Sequence, residues 1–178
     1  MTLVRDTVRR TRATPREKRE VRGDQPRTLR VLAAVDGSER TGRVIKYLLG
    51  VRALSAPLEV VLLNVQPEPE DWRLRGYGSF KRDAIRDRLI NDRGRPALAS
   101  AGRQLDGVGI PHKDRIELGD TADMIITCAQ EEACDLIVLA EAPPSALRRW
   151  LMRSAGLSFG SVASEVITLA QVPVVVAK

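Results

Sequence analysis

Four short apolar runs and one more polar run recur along the chain, and a helical pattern separates each from the next. LRVLAAV begins at Leu29, LEVVLLNV at Leu58, PHKDRIEL at Pro111, LIVLA at Leu136 and VPVVVA at Val172. Apolar runs of this length suit strands buried on both faces. PHKDRIEL is polar enough to predict a place nearer a sheet edge. Between the runs, Val44, Leu48 and Val51 repeat at helical spacing, with Ile45 and Leu49 beside them. Residues from about 80 to 106 read as helix, with Gly94 and Pro96 marking a kink or break. GDTADMIITCAQEEACD reads as a helix capped by Asp120 or Thr121, with Met124 and Cys128 beside Ile125 and Ala129 on one face. SVASEVITLA reads as a last helix with Val162, Val166 and Leu169 inward.

The order β-α-β-α-β-α-β-α-β predicts a parallel sheet covered by helices on both faces, a Rossmann-like three-layer α/β sandwich. Right-handed crossovers restrict the topologies, and the strand order expected is 3-2-1-4-5. In such sheets ligands bind at the carboxyl ends of the strands, where the winding reverses. That places a site between Asp36, after strand 1, and the loop from Ala140, after strand 4. In the DGSE turn, Gly37 can make the tight bend and Ser38 can cap the helix. The stretch after strand 4 is unusual. About twenty residues lie between LIVLA and the last helix, where connections of about two to six are common.

Composition narrows the class further. At 178 residues the chain is long enough for one domain with a real core. Aromatic residues are 3% of the total, so that core must come from Leu, Ile, Val and Ala. No apolar stretch reaches the length of a membrane span, and no apolar segment follows the charged N-terminus as a secretory signal requires. Cys128 and Cys134 form no CxxC pair, and His112 is the only histidine, so no metal site is expected. Reduced thiols in a cytoplasmic protein are the simple reading.

The net charge of +6 is unevenly spread. Residues 1–27 hold nine Lys/Arg against four Asp/Glu, whereas residues 28–178 are nearly balanced. The first segment reads as a disordered basic tail and the second as the domain. A tail of this kind is a solvated appendage, or a weak anchor for nucleic acid or anionic membrane. The first reading is preferred, because no aromatic or Gly-rich element accompanies the arginines.

The assembled segments resemble the universal stress protein family over about residues 29 to 178. VLAAVDGSERTGRVIKYLL is similar to that family's first strand, Asp-Gly-Ser turn and first helix. LNVQPE resembles the end of its second strand. ELGDTADMIITCAQEEACDLIVLA resembles its Gly-Asp-Pro helix and fourth strand, with Thr121 in place of proline. GSVASEVITLAQVPVVVA resembles its C-terminal signature. The resemblance implies a homodimer joined through the fifth strands, which would place Val172, Val174, Val175 and Val176 at the interface. An apolar edge strand supports this independently, since exposed edges are normally covered or paired.

The resemblance also implies a nucleotide site built on a G-x2-G-x9-G-S/T pattern after strand 4, with Asp36, Gly37, Val65 and Val162 beside it. Glycines let the backbone approach phosphate, and the final Gly-Ser/Thr opens a helix whose free N–H groups favour an anion. Here the first glycine falls on Ala140 and the second on Pro143, which has no N–H to offer. The final pair is kept as Gly160 and Ser161, after a spacer of sixteen residues. Glu141 adds a negative charge, while Arg148, Arg149 and Arg153 add positive ones.

Two readings compete. In one, ALRRWLM is a short helix pinned by Leu147, Trp150 and Leu151, whose arginines rebuild a phosphate clamp for ATP or another adenine nucleotide with Mg²⁺. In the other, the segment is a surface or contact element and ATP binding is lost or weakened. The second is favoured. No G-x-S-x-G elbow, Walker-type loop or G-x-G-x-x-G is present, so no catalytic residue is assigned. The expected function is a non-catalytic stress-response protein acting through a small ligand or a protein partner. Rival readings are a slowly ATP-hydrolysing member, a nucleic-acid-associated protein using the tail, and an unrelated enzyme on the same fold.

Overall fold

The computed structural model describes residues 27–54, 57–68, 79–140 and 162–178, and for residues 79–81 the backbone alone. The basic tail to residue 26, Trp72 and its loop, and the segment 141–161 lie outside the described residues. So do the readings of ALRRWLM as a helix and of residues 1–27 as disordered.

Strand β1 spans Leu29–Ala34, and helix α1 Thr41–Ala53. Strand β2 spans Leu58–Gln66. Helix α2, Ser79–Leu89, passes through one π-helical stretch, Ile90–Gly94, into α3, Arg95–Asp106. Strand β3 is His112–Leu118, α4 is Thr121–Glu131, and β4 is Leu136–Ala140. Helix α5, Val162–Leu169, and strand β5, Val174–Ala177, complete the fold. All strand pairs are parallel and the sheet order is β3-β2-β1-β4-β5. The expected fold and topology are therefore those observed.

Each face of the sheet carries its own core. Val31, Ala33, Val60 and Leu62 meet Val44, Ile45 and Leu48 of α1 and Leu98, Ala101 and Leu105 of α3. On the opposite face, Leu32, Val61, Leu63, Ile137 and Leu139 meet Ala122, Ile125, Cys128 and Ala129 of α4 and Ala163 and Val166 of α5. Alternate strand residues serve opposite layers, which is why the runs are apolar throughout.

Local chemistry explains the helix boundaries. The Asp120 side chain accepts from the N–H groups of Ala122 and Asp123, so Asp120 rather than Thr121 caps α4. The break expected near Gly94 and Pro96 takes the form of the π-helical stretch. A Cβ at Gly94 would sit 2.8 Å from Ile116 Cγ2, so this glycine lets the helix lie close to β3.

Three expectations need correction. Ser38 does not cap α1. The helix begins at Thr41 after Arg40, with no side-chain cap, and the Ser38 hydroxyl serves the turn before it. Val162 and Leu169 do not point inward; they are 40% and 52% exposed. The smaller stripe of Ala163, Val166 and Ala170 takes the core contact instead, because α5 packs close to α4. Val172 precedes β5, which starts at Val174, since Pro173 has no N–H for the ladder.

The two sheet edges differ. Along β3, Lys113 and Arg115 pair with Glu132, and Arg115 also with Glu117 and Glu131. Along β5, the N–H of Ile137 donates to the Pro173 carbonyl. In a parallel ladder alternate residues turn both backbone groups the same way, so Val175 faces β4 while Val174 and Val176 present theirs outward. Among the described residues, no helix is long and apolar enough to cross a membrane.

Candidate functional site

The carboxyl end of β1 is held by its neighbours. Val35 N–H donates to the Leu63 carbonyl at 2.9 Å, extending the pairing with β2. The Val35 carbonyl accepts from Asn64 Nδ2 at 2.7 Å. Asn64 Oδ1 in turn accepts from Gln66 Nε2 at 2.6 Å. Both amides are buried, so each of these bonds replaces one that water would otherwise supply.

Next comes the turn. Gly37 has φ of +75°, and a Cβ there would fall 2.9 Å from the Ala97 Cβ. Both the conformation and the close approach of α3 demand glycine. Gly37 N–H donates to Thr41 Oγ1, which donates onward to Asp36 Oδ1.

Asp36 is the hub. Its Oδ1 accepts from the Ser38 N–H at 3.0 Å and from the Ser38 hydroxyl at 2.6 Å, besides Thr41. Its Oδ2 accepts from Arg40 Nη2 at 2.6 Å. Partial burial pushes this carboxyl up, but the bonds from Arg40 and Ser38 outweigh it and bring it down to about 2. Asp36 is thus ionised with both oxygens engaged.

Carrying the β1–β4 register forward sets Val35 level with Ala140, so the Asp36 turn leaves β1 beside the end of β4. Asp36, Gly37 and Ala140 therefore lie at the carboxyl ends of neighbouring strands. Val65 is half-buried on the face covered by α4 and α5. Val162 opens α5 and is exposed. Pro143, Arg148, Arg149, Gly160 and Ser161 lie outside the described residues.

Four residues shape this end of the sheet without having been singled out in the sequence: Arg40, Thr41, Asn64 and Gln66. A signal for three of them was there. Asn64 and Gln66 alternate at the end of an otherwise apolar strand, where a polar side chain must have a built partner. Arg40 stands four residues after Asp36, a spacing that lets the two meet at a helix start.

A profile of the Universal stress protein family matches residues 28–178. The chain belongs to the universal stress protein family. Solved structures agree on the fold. The universal stress protein from Archaeoglobus fulgidus is 22% identical, with a TM-score of 0.60 over 84% of this chain and 98% of its own. A universal stress protein in complex with cAMP is 18% identical, with a TM-score of 0.59 over 84% and 97%. A family protein from Arabidopsis thaliana, solved with AMP bound, is 19% identical, with a TM-score of 0.57 over 84% and 91%. No curated protein matches the chain.

Proposed function

We propose that this universal stress protein acts by binding, without turnover, and that the crevice between Asp36 and Ala140 holds Mg·ATP weakly. The carrying observation is the state of Asp36. Its carboxylate is committed to Arg40, Ser38 and Thr41, so a nucleotide or its metal would have to displace an existing partner. Ala140 and Pro143, in place of two glycines, act in the same direction. A small adenine ligand remains the favoured occupant, supported by the AMP and cAMP carried by structural neighbours.

The test is isothermal titration with ATP, with and without Mg²⁺, on protein freed of co-purified nucleotide. The expected Kd for Mg·ATP is weaker than about 100 µM. Micromolar binding that is lost on Arg148→Ala or Arg149→Ala would mean a rebuilt phosphate clamp, and would overturn the reading.

The β5 edge supports a second part of the proposal, a homodimer. Val174 and Val176 turn outward, on an apolar strand, backbone groups that have no strand partner among the described residues, and two-fold pairing would satisfy them. Sedimentation should give a dimer for the native chain. Val176→Pro removes one outward donor without touching the β4 ladder, and should give a monomer.

A further inference from the structure

A polyphosphate nucleotide usually enters a site with a divalent cation, and Asp36, after strand 1, is a carboxylate at this end of the sheet that such a cation could meet. The residues present do not fit it. A divalent cation needs carboxylate oxygens that are open to it. Oδ1 of Asp36 already accepts three hydrogen bonds, from the Ser38 N–H, the Ser38 hydroxyl and Thr41 Oγ1. Oδ2 faces the Arg40 guanidinium at 2.6 Å. The cation's position is therefore taken by a fixed positive charge from the chain itself.

Arg40 has more to give than this one bond. Nη2 is engaged by Asp36, while Nη1 and Nε make no hydrogen bond among the described residues. The side chain is 36% exposed, so those donors are within reach of a ligand. A guanidinium meets a phosphate oxygen through paired N–H groups and needs no metal to do so.

We propose that Arg40 is a built-in counter-ion standing where a divalent cation would bind. The crevice then selects a metal-free adenine nucleoside phosphomonoester or cyclic phosphodiester over a metal-chelated polyphosphate. The selectivity rests on the ligand site proposed above; the exclusion of metal does not. A divalent cation would have to displace the guanidinium from the carboxylate, whereas a phosphate oxygen can take the Nη1 and Nε donors with the Asp36–Arg40 pair left in place.

The experiment has two arms, both on the full chain. In the first, Mn²⁺ alone is titrated and free Mn²⁺ is followed by its paramagnetic resonance signal. The native chain should leave the signal unchanged at millimolar Mn²⁺. Arg40→Ala should take up measurably more Mn²⁺ than the native chain, Arg40→Lys no more than the native chain, and adding Asp36→Asn to Arg40→Ala should abolish the gain. Uptake by the native chain that Asp36→Asn removes would overturn the proposal. So would an Arg40→Ala chain, folded by circular dichroism, that takes up no more than the native chain.

In the second arm, AMP is titrated in EDTA and in Mg²⁺. The native affinity should agree within about twofold between the two, and Arg40→Ala should lose roughly tenfold in EDTA. A native chain that binds AMP only with Mg²⁺ would overturn the selectivity. If AMP binds in neither medium, the adenine-ligand reading fails, and the Mn²⁺ arm still decides whether Arg40 holds the cation's place.

Discussion

The side-chain amide of Asn64 donates to the main-chain carbonyl of Val35 across 2.7 Å, with the asparagine almost wholly shielded from water. This bond fixes the last residue before Asp36. Replacing the amide by an isosteric hydrocarbon, Asn64→Leu, strips a partner from both Val35 and Gln66. The expected loss is about 2 to 3 kcal/mol, since buried polar groups left unpaired carry their full desolvation cost. Urea denaturation would measure it. A midpoint equal to that of the native chain would mean that the relay contributes nothing.

Gly37 makes a second test of the same turn. Alanine there must hold a φ of +75° and push a methyl into Ala97 at 2.9 Å. Left-handed strain of roughly 1 kcal/mol adds to overpacking of about 1 to 3 kcal/mol. Gly37→Ala should therefore unfold at clearly lower denaturant. Gly50, with nothing within 4 Å of its would-be Cβ, is the control position. Gly50→Ala should be neutral or mildly stabilising, because alanine is the better helix former.

The architecture was legible because each apolar run serves two layers, so periodicity and alternation pointed to one topology. The place of Asp36, Gly37 and Ala140 at neighbouring strand ends was legible for a related reason: the winding reverses between β1 and β4 whatever the side chains are. What escaped was the partner of each group. The spacing in DGSER allows Asp36 to meet Arg40, but does not say that the carboxylate turns back on it rather than toward a ligand. That choice is made by the chain's fold at Gly37. The α5 stripe was misread because a size-weighted pattern favours Val162 and Leu169, whereas close helix packing selects Ala163 and Ala170.

Acid should weaken the molecule at this turn. Asp36 titrates at about 2, below its ordinary value of 3.8, so its contribution is present above that ordinary value. It is lost as the pH falls toward 2. Glu132 shifts the same way, its carboxylate held down by Lys113 and Arg115. The urea midpoint should therefore decline between pH 4 and pH 2. Carboxyl chemical shifts should show Asp36 titrating higher in Arg40→Ala than in the native chain. An unchanged Asp36 titration would show that the Arg40 pair is not formed in solution.

The two cysteines should be silent until the chain opens. Burial pushes the thiols of Cys128 and Cys134 up to about 11, and both side chains lie inside the α4 layer. Thiolate is the reacting species, so a disulfide reagent at pH 8 should label the native chain at least ~100-fold more slowly than the unfolded one. Two thiols should then appear together in denaturant. Rapid labelling of the native protein would mean that the α4 layer opens locally.

The unlike edges of the sheet give it a valence. The β3 rim is occupied by Lys113, Arg115, Glu117 and their acidic partners on and just after α4, an arrangement that repels another strand. The β5 rim, where the backbone groups of Val174 and Val176 face outward, is the one that the proposed dimer would use. On the proposed dimer, a unit with one receptive rim among its described strands would join once and have no second such rim to offer, so chains of such units would not lengthen. Neutralising the β3 rim would raise that valence to two, and the same fold would acquire the means to propagate.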